Sequence, residues 1–160
     1  MMNEKHTITC VVENHFGVLA RISGLISARG FNIDSLTVSA TEDPTISRMT
    51  IVVDADAQKL EQVKSQLNRL VDVIGVQELK EGEFIDRELL LARVRANGKA
   101  LAELEQVAKR FGGKLADANE HSVVIEAIGD TKVLDQLVEQ LRPHGITRLV
   151  RTGRVALEKQ

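Results

Sequence analysis

The apolar residues of this chain change their spacing in a fixed order, and that order constrains the fold more than any single motif does. Residues 6–13 alternate between apolar and polar, which is typical of a half-buried strand, whereas residues 18–29 follow the period of a helix. Two alternating segments, a second helical segment and a last alternating segment follow at residues 35–40, 48–53, 60–70 and 73–79. The first half therefore predicts the order βαββαβ.

The second half repeats this order after residues 80–83, which have the charged, glycine-containing composition of a linker. Strands are predicted at residues 89–94, 115–118, 123–128 and 146–157, and helices at residues 101–111 and 133–141. Two such units predict an α+β fold with two ferredoxin-like domains, residues 1–80 and 81–160. In each domain two helices cover one face of an antiparallel sheet.

The other face of the first predicted sheet is polar. It carries Thr7, Thr9, Ser35, Thr37, Arg48 and Thr50. Such a face is either exposed to water or covered by a second copy of the chain. Small sheets of this kind often pair edge to edge in dimers, because pairing removes the unpaired edge strands.

Composition disfavours several classes of partner. The net charge is −2 and the chain has four Phe but no Trp or Tyr, which disfavours a nucleic-acid surface built on basic stripes and stacking rings. No apolar run approaches the roughly 20 residues that cross a bilayer, and residues 1–10 lack the apolar core of a signal peptide. We therefore expect a cytoplasmic protein that has no nucleic-acid or membrane partner.

The side chains of common catalytic and metal sites are not grouped in this sequence. The four histidines, His6, His15, His121 and His144, lack the spacing of zinc ligands. Cys10 is the only cysteine, so it is either a reactive thiol or a small buried side chain, and its alternation with Ile8 and Val12 favours burial. Asp130 precedes a helical segment and is predicted to cap it. We predict no catalytic residue and no metal site.

The segment Asn14-His15-Phe16-Gly17-Val18-Leu19 joins the first strand to the first helix. Gly17 permits a positive φ or a close backbone approach, and the N–H groups at a helix N-terminus can bind a carboxylate. Asn14 can either cap the helix or bind a ligand. The segment is therefore a capped helix start or one side of a small-molecule site.

Asn32 is the second candidate residue, because it follows Gly30-Phe31 at the start of the second strand. It is either a turn residue or a ligand contact. If two subunits pair through these edges, the loop of one and Asn32 of the other line a shared pocket. Such a pocket offers N–H groups to a carboxylate and carbonyl oxygens to an ammonium, which together match an amino acid.

Seven short motifs identify a family resemblance. They are Glu13-Asn14, Gly17-Val18-Leu19, Arg21-Ile22, Gly24-Leu25, Arg29-Gly30-Phe31-Asn32-Ile33, Ser35-Leu36-Thr37-Val38 and Ser47-Arg48-Met49-Thr50-Ile51. Together they resemble the regulatory small subunits of acetolactate synthase, also called acetohydroxyacid synthase. The resemblance to the amino-terminal ACT domain of that family is dense over about residues 6–80, and the second half matches the carboxy-terminal domain in length and pattern.

The resemblance implies a regulatory subunit that performs no chemistry itself. It implies a catalytic large subunit as partner, which this chain activates and makes sensitive to feedback inhibition by valine in branched-chain amino-acid biosynthesis. Thiamine diphosphate, Mg and FAD are expected on the catalytic subunit, and no cofactor is expected on this chain.

The resemblance also implies a homodimer that binds valine between its ACT domains. By matching position, one protomer supplies Asn14, His15, Phe16, Gly17, Val18 and Leu19, and the other supplies Asn32 and Ile33. Many ACT domains have Asn-x-Pro-Gly at this loop, whereas this chain has His15-Phe16-Gly17. Without the proline, φ is free and an N–H donor is gained. Neither the stiffness of the loop nor the choice among valine, leucine and isoleucine follows from the resemblance.

Two alternatives to this function belong to other classes. A stand-alone ACT-domain sensor would bind an amino acid and regulate a different enzyme or a transcription factor. A small ferredoxin-like enzyme is disfavoured by the missing acid, base and metal groups.

Residues 142–160 have an excess of four positive charges, from Arg142, Arg148, Arg151, Arg154 and Lys159 against Glu158. This basic stretch is either an edge strand protected by charge or a docking surface for the catalytic subunit.

Overall fold

A computed structural model describes residues 4–98 and 100–160 of the chain. Two compact units are formed. The first comprises the chain up to Ile85 together with Arg154–Gln160, and the second comprises Asp86–Gly153. The sequence-based division after residue 80 assigns residues 154–160 to the second domain, whereas in the structure this C-terminal segment lies in the first unit.

The first unit has the predicted order βαββαβ. Its elements are β1 (Glu4–Glu13), α1 (Val18–Ala28), β2 (Ile33–Ala40), β3 (Ile46–Ala55), α2 (Ala57–Leu67) and β4 (Val73–Leu79). The strands pair antiparallel in the order β2-β3-β1-β4, so that β2 and β4 are the edges. This order confirms the ferredoxin-like fold that the changes of period predict.

The core of the first unit lies between the sheet and its two helices. It comprises Ile8, Cys10, Val12, Val18, Ile22, Ile26, Met49, Ile51, Val53, Ala55, Leu60, Val63 and Leu67. Cys10 is fully buried, and desolvation raises the pKa of its thiol to about 11. A thiol with such a pKa is protonated at neutral pH and unreactive, which confirms the expectation of a buried side chain.

The second unit repeats the order. Its elements are β5 (Phe84–Arg95), α3 (Ala100–Arg110), β6 (Lys114–Ala118), β7 (Ser122–Gly129), α4 (Thr131–Leu141), a 3₁₀ turn (Arg142–His144) and β8 (Ile146–Arg151). A last strand, β9 (Val155–Glu158), lies in the C-terminal segment that belongs to the first unit. The strand order is β6-β7-β5-β8, and β9 also pairs with β5. Asp130 accepts a hydrogen bond from Val133 N at 2.8 Å, which confirms it as the cap of α4. None of the helices described is long and apolar enough to cross a membrane.

The prediction of one strand over residues 146–157 is wrong. The strand ends at Arg151 and a new one begins at Val155. Gly153 between them has a φ of +84°, which lies outside the extended region and interrupts the strand. The Thr152 hydroxyl fixes this break because it accepts a hydrogen bond from Leu89 N and donates one to Gly153 O.

The polar face of the first sheet is partly buried within a single chain, since Ser35, Thr37 and Arg48 are only half-buried. Thr7, Thr9 and Thr50 are each less than 5 % exposed. The C-terminal segment contacts this face through Arg154, whose guanidinium donates to Thr7 Oγ1 at 2.6 Å and whose carbonyl accepts from Thr37 Oγ1 at 2.8 Å. The chain itself therefore contributes to covering a face for which the sequence suggested only water or a second copy.

Candidate functional site

The helix α1 begins without a side-chain cap. Gly17 is its N-cap residue, with a φ of +88° and a ψ of −12°, and no side chain in the described part of the chain accepts a hydrogen bond from the first helical N–H groups. The helices α2 and α4 differ, because each is capped by an Asp side chain. The prediction that Asn14 could cap the helix is therefore wrong. The uncapped end offers N–H donors and the positive end of the helix dipole to an anion.

Asn14 attaches this loop to the hairpin between β2 and β3. Its backbone N–H donates to Thr45 O at 2.7 Å, and its side-chain Nδ2 donates to Pro44 O at 2.9 Å. Among the residues that the structure describes, none donates a hydrogen bond to Asn14 Oδ1. The amide group is therefore held in place while its oxygen remains an acceptor for a ligand.

Asp72, just before β4, is a site residue that the sequence analysis missed. Its side chain is 7 % exposed, and its carboxylate accepts hydrogen bonds from His15 Nε2 at 3.0 Å and from Arg21 Nη1. Its backbone carbonyl accepts from Glu13 N at 2.9 Å. One buried residue thus contacts the end of β1, the loop and the first turns of α1.

A signal for Asp72 was present in the sequence, since it is a single acidic residue within the apolar run Leu70-Val71-Asp72-Val73-Ile74. A buried carboxylate is rarely found without a compensating partner. The sequence does not say which residue is that partner, because His15 is 57 positions away and Arg21 is 51.

The two ring nitrogens of His15 both face acceptors. Nδ1 lies 3.1 Å from Phe16 O and Nε2 lies 3.0 Å from Asp72 Oδ1. A protonated ring donates to both oxygens, whereas a neutral ring donates to only one. The Phe16 carbonyl first, and then the carboxylates of Asp72 and Glu13, therefore raise the pKa of His15 above its ordinary value against a smaller opposing effect of desolvation.

Glu13, His15 and Asp72 bring three potential metal-ligand atoms within 4.8 Å of one another. The sequence analysis predicted no metal site, and spacing along the chain does not reveal this cluster. Arg21 also pairs with the Asp72 carboxylate. We interpret Asp72, His15 and Arg21 as an ion-pair network in which two basic side chains compensate the buried carboxylate, and we refer to these three residues as the Asp72 network, with the exposed Glu13 at its edge.

The other predicted site residues differ in exposure. Phe16 is 100 % exposed and Leu19 is 42 % exposed, whereas Val18 is 3 % exposed and belongs to the core, so that only its backbone can reach a ligand. Asn32 is exposed and Ile33 packs partly against the core. Among the described residues of one chain, no hydrogen bond or ion pair joins the loop to Asn32 or Ile33.

Comparisons with known proteins identify the family. Residues 8–75 match the family model of the small-subunit-like ACT domain of acetohydroxyacid synthase, and residues 87–160 match that of the small subunit of acetolactate synthase. The chain is 44 % identical over 153 residues to the probable acetolactate synthase small subunit of Archaeoglobus fulgidus, with 96 % of each chain covered. The chain belongs to the acetolactate synthase small-subunit family. All predicted site residues and Asp72 lie within its ACT domain.

Other members of the family are similar to this chain over nearly its full length. The acetolactate synthase small subunit of Mycolicibacterium smegmatis is 42 % identical over 154 residues, which are 96 % of this chain and 91 % of that one. The crystal structure of the small subunit from Thermotoga maritima superposes with a TM-score of 0.88 at 30 % identity and covers 98 % of each chain. The small-subunit family therefore accounts for both halves.

The basic stretch at the end of the chain makes many internal contacts. Arg142 pairs with Glu139, Arg151 with Glu88 and Asp135, and Lys159 Nζ donates to Gly82 O. Arg154 contacts the first sheet and lies 5.8 Å from the centre of the Phe84 ring. Most of the local excess of charge is thus engaged within the chain, while Arg148 is exposed on the edge strand β8.

We predict that the pKa of His15 in the folded chain lies above the free value of about 6.5 and that Asp72→Asn lowers it. Because folding raises this pKa, the stabilisation by protonated His15 is fully present below pH 6.5 and is lost as the pH rises through the folded value. An NMR titration of the imidazole resonances measures the shift. Removal of the Asp72 charge without any change in the His15 pKa would contradict the assignment.

Proposed function

We propose that this chain is the regulatory subunit of an acetolactate synthase in branched-chain amino-acid biosynthesis. It binds a catalytic large subunit in the cytoplasm, raises its activity and makes it sensitive to feedback inhibition by valine. It contributes no catalytic residue or cofactor, since thiamine diphosphate, Mg and FAD belong to the catalytic subunit. The observation that most directly supports this proposal is the start of α1 at Gly17, which has no side-chain cap and lies within an ACT domain of the small-subunit family.

The chemistry of the loop supports an α-amino acid as the effector. The N–H groups after Gly17 and the dipole of α1 suit the carboxylate, and the Oδ1 atom of Asn14 suits the ammonium. Phe16 and Leu19 expose apolar surface next to these polar groups. Contact with that surface would favour an aliphatic side chain such as that of valine over a polar one.

A second copy of the chain completes the proposed site. The edge strand β2 follows Asn32 directly and has a neighbour, β3, on only one side. Pairing of two such edges around a two-fold axis would bring Asn32 and Ile33 of one protomer to the loop of the other. Valine would then order the loop and the dimer interface together. It regulates the catalytic subunit only if it binds the active and inhibited states with different affinity.

The match of residues 87–160 to the small-subunit family supports this function over a stand-alone ACT-domain sensor. The decisive experiment measures pyruvate turnover by the cognate catalytic subunit with and without this chain, titrated with valine, leucine and isoleucine. We expect the chain to raise turnover and valine to reverse the increase. Failure to bind or activate the catalytic subunit would favour the sensor instead.

Gly17→Asp is expected to abolish valine inhibition while activation by the chain is retained, because the new carboxylate repels that of the effector at the helix start. A Cβ atom at this position has room, with Arg21 Nη2 at 3.9 Å as the nearest atom, but the positive φ strains any side chain. Gly17→Asn is the matched control because Asn has the same shape and tolerates this backbone conformation without the charge. Equal valine inhibition in the Asp variant and wild type would count against the site.

Asn32→Ala is expected to weaken valine binding by more than about 1 kcal/mol, because its amide is proposed to bond the charged ammonium. Titration calorimetry of the dimer with valine measures the change. Asn68→Ala is a suitable control, since Asn68 is an exposed amide that bonds Lys64 O at the end of α2. Unchanged affinity in the Asn32 variant would remove this residue from the site.

A further inference from the structure

We propose that Asp72 is the positioning residue of the effector site: its buried carboxylate holds His15 and Arg21 and thereby fixes the loop that presents Gly17 and the start of α1 to the effector. This inference rests on the proposed function for the identity of the effector. The fixing of the loop itself rests on the geometry of the Asp72 network alone.

The contacts of Asp72 reach both sides of Gly17. His15 lies two residues before it and Arg21 four residues after it, and both donate to the same carboxylate, one to each oxygen. The side chain of Asp72 is only 7 % exposed, whereas those of His15 and Arg21 are about half exposed, so the charge-assisted bonds are shielded from water at the carboxylate and not at the cations. The carboxylate therefore restrains the loop on both sides of the residue with positive φ.

Arg21 gives Asp72 a second effect on the site. The guanidinium lies beside Gly17, with Nη2 at 3.9 Å from the position of a Cβ atom on that residue, and the backbone N–H of Arg21 donates to Gly17 O at 3.0 Å. Pairing with Asp72 determines where this positive charge is held. An effector carboxylate at the helix start would meet both the N–H groups and the field of the Arg21 side chain.

Protonation of His15 links the network to pH. Two carboxylates face this ring: Glu13 at the end of β1, whose Oε2 lies 3.4 Å from His15 Nε2, and Asp72 before β4. Arg21 of α1 is the nearest cation, because it pairs with the same Asp72 carboxylate. The protonated ring bonds both Asp72 and the Phe16 carbonyl, whereas the neutral ring gives up one of these bonds. Affinity for the effector should therefore fall as the pH rises through the pKa of His15.

The test compares Asp72→Asn with Glu13→Gln. Both variants remove one carboxylate charge near His15, but Glu13 is an exposed residue and does not pair with Arg21. In the reconstituted enzyme we expect Asp72→Asn to raise the valine concentration for half-inhibition about tenfold. This is the size of effect expected when a hydrogen bond to a charged group is lost. Its activation of the catalytic subunit should be retained and its pH dependence should flatten. Glu13→Gln should stay within about twofold of wild type.

A second readout does not require an effector. Amide hydrogen exchange at Asn14, Val18 and Arg21 reports how firmly the loop is held, because their N–H groups bond Thr45 O, His15 O and Gly17 O. We expect it to be at least about fivefold faster in Asp72→Asn than in Glu13→Gln, because only the former loses the restraint. If Asp72→Asn does not fold, His15→Gln replaces it, since that variant removes the titrating group and leaves the buried pair of Asp72 with Arg21 intact.

The outcomes separate this inference from the proposed function. Wild-type exchange rates and a wild-type pH profile of valine inhibition in Asp72→Asn, or in His15→Gln where that replaces it, would overturn the positioning role while valine sensing stands. Faster exchange in a chain that does not bind valine at all would support the positioning role and reject valine as the effector.

Discussion

A buried carboxylate has to be compensated wherever it lies, and in the first unit the compensation for Asp72 comes from the loop that precedes α1. His15 and Arg21 pair with it from either side of Gly17. Removing one partner from such a group leaves a poorly solvated charge, which is costlier than the loss of an exposed ion pair. This requirement fixes the loop without any side-chain cap on the helix, whose first N–H, that of Val18, makes only a long bond of 3.5 Å to His15 O.

The polar face of the first sheet obeys a related constraint. Buried hydroxyls need hydrogen-bond partners, and two arginines supply them, Arg154 to Thr7 and Arg48 to Thr9. Because Arg154 belongs to the C-terminal segment, the first unit is not complete with residues 1–80 alone. Along the sequence, the chain returns to the first unit at Arg154, after the residues of the second unit.

The local elements could be predicted from the sequence because their cause is local. The change from an alternating to a helical period appears within each segment, and Asp130 caps α4 as its position suggests. The pairing of Asp72 with His15 and that of Arg154 with Thr7 bridge 57 and 147 positions, and no nearby pattern encodes such distances. The break at Gly153 was missed for another reason: the apolar residues on both sides fit a strand, and only the glycine marks the interruption between them.

The loop before α1 lacks the proline that many ACT domains have at this position. In the common Asn-x-Pro-Gly form, the pyrrolidine ring restricts φ covalently just before the glycine. Here Phe16 occupies that position and is fully exposed, so it supplies no packing within the chain. The loop is restrained instead by the hydrogen bond from Asn14 to Pro44 O and by the ion pairs of His15 and Arg21 with Asp72. A covalent restraint is indifferent to solution conditions, whereas an ion-pair restraint weakens when its cation is deprotonated. If the proposed positioning role holds, the exchange of a proline for this network makes the geometry of the helix start depend on the protonation of His15.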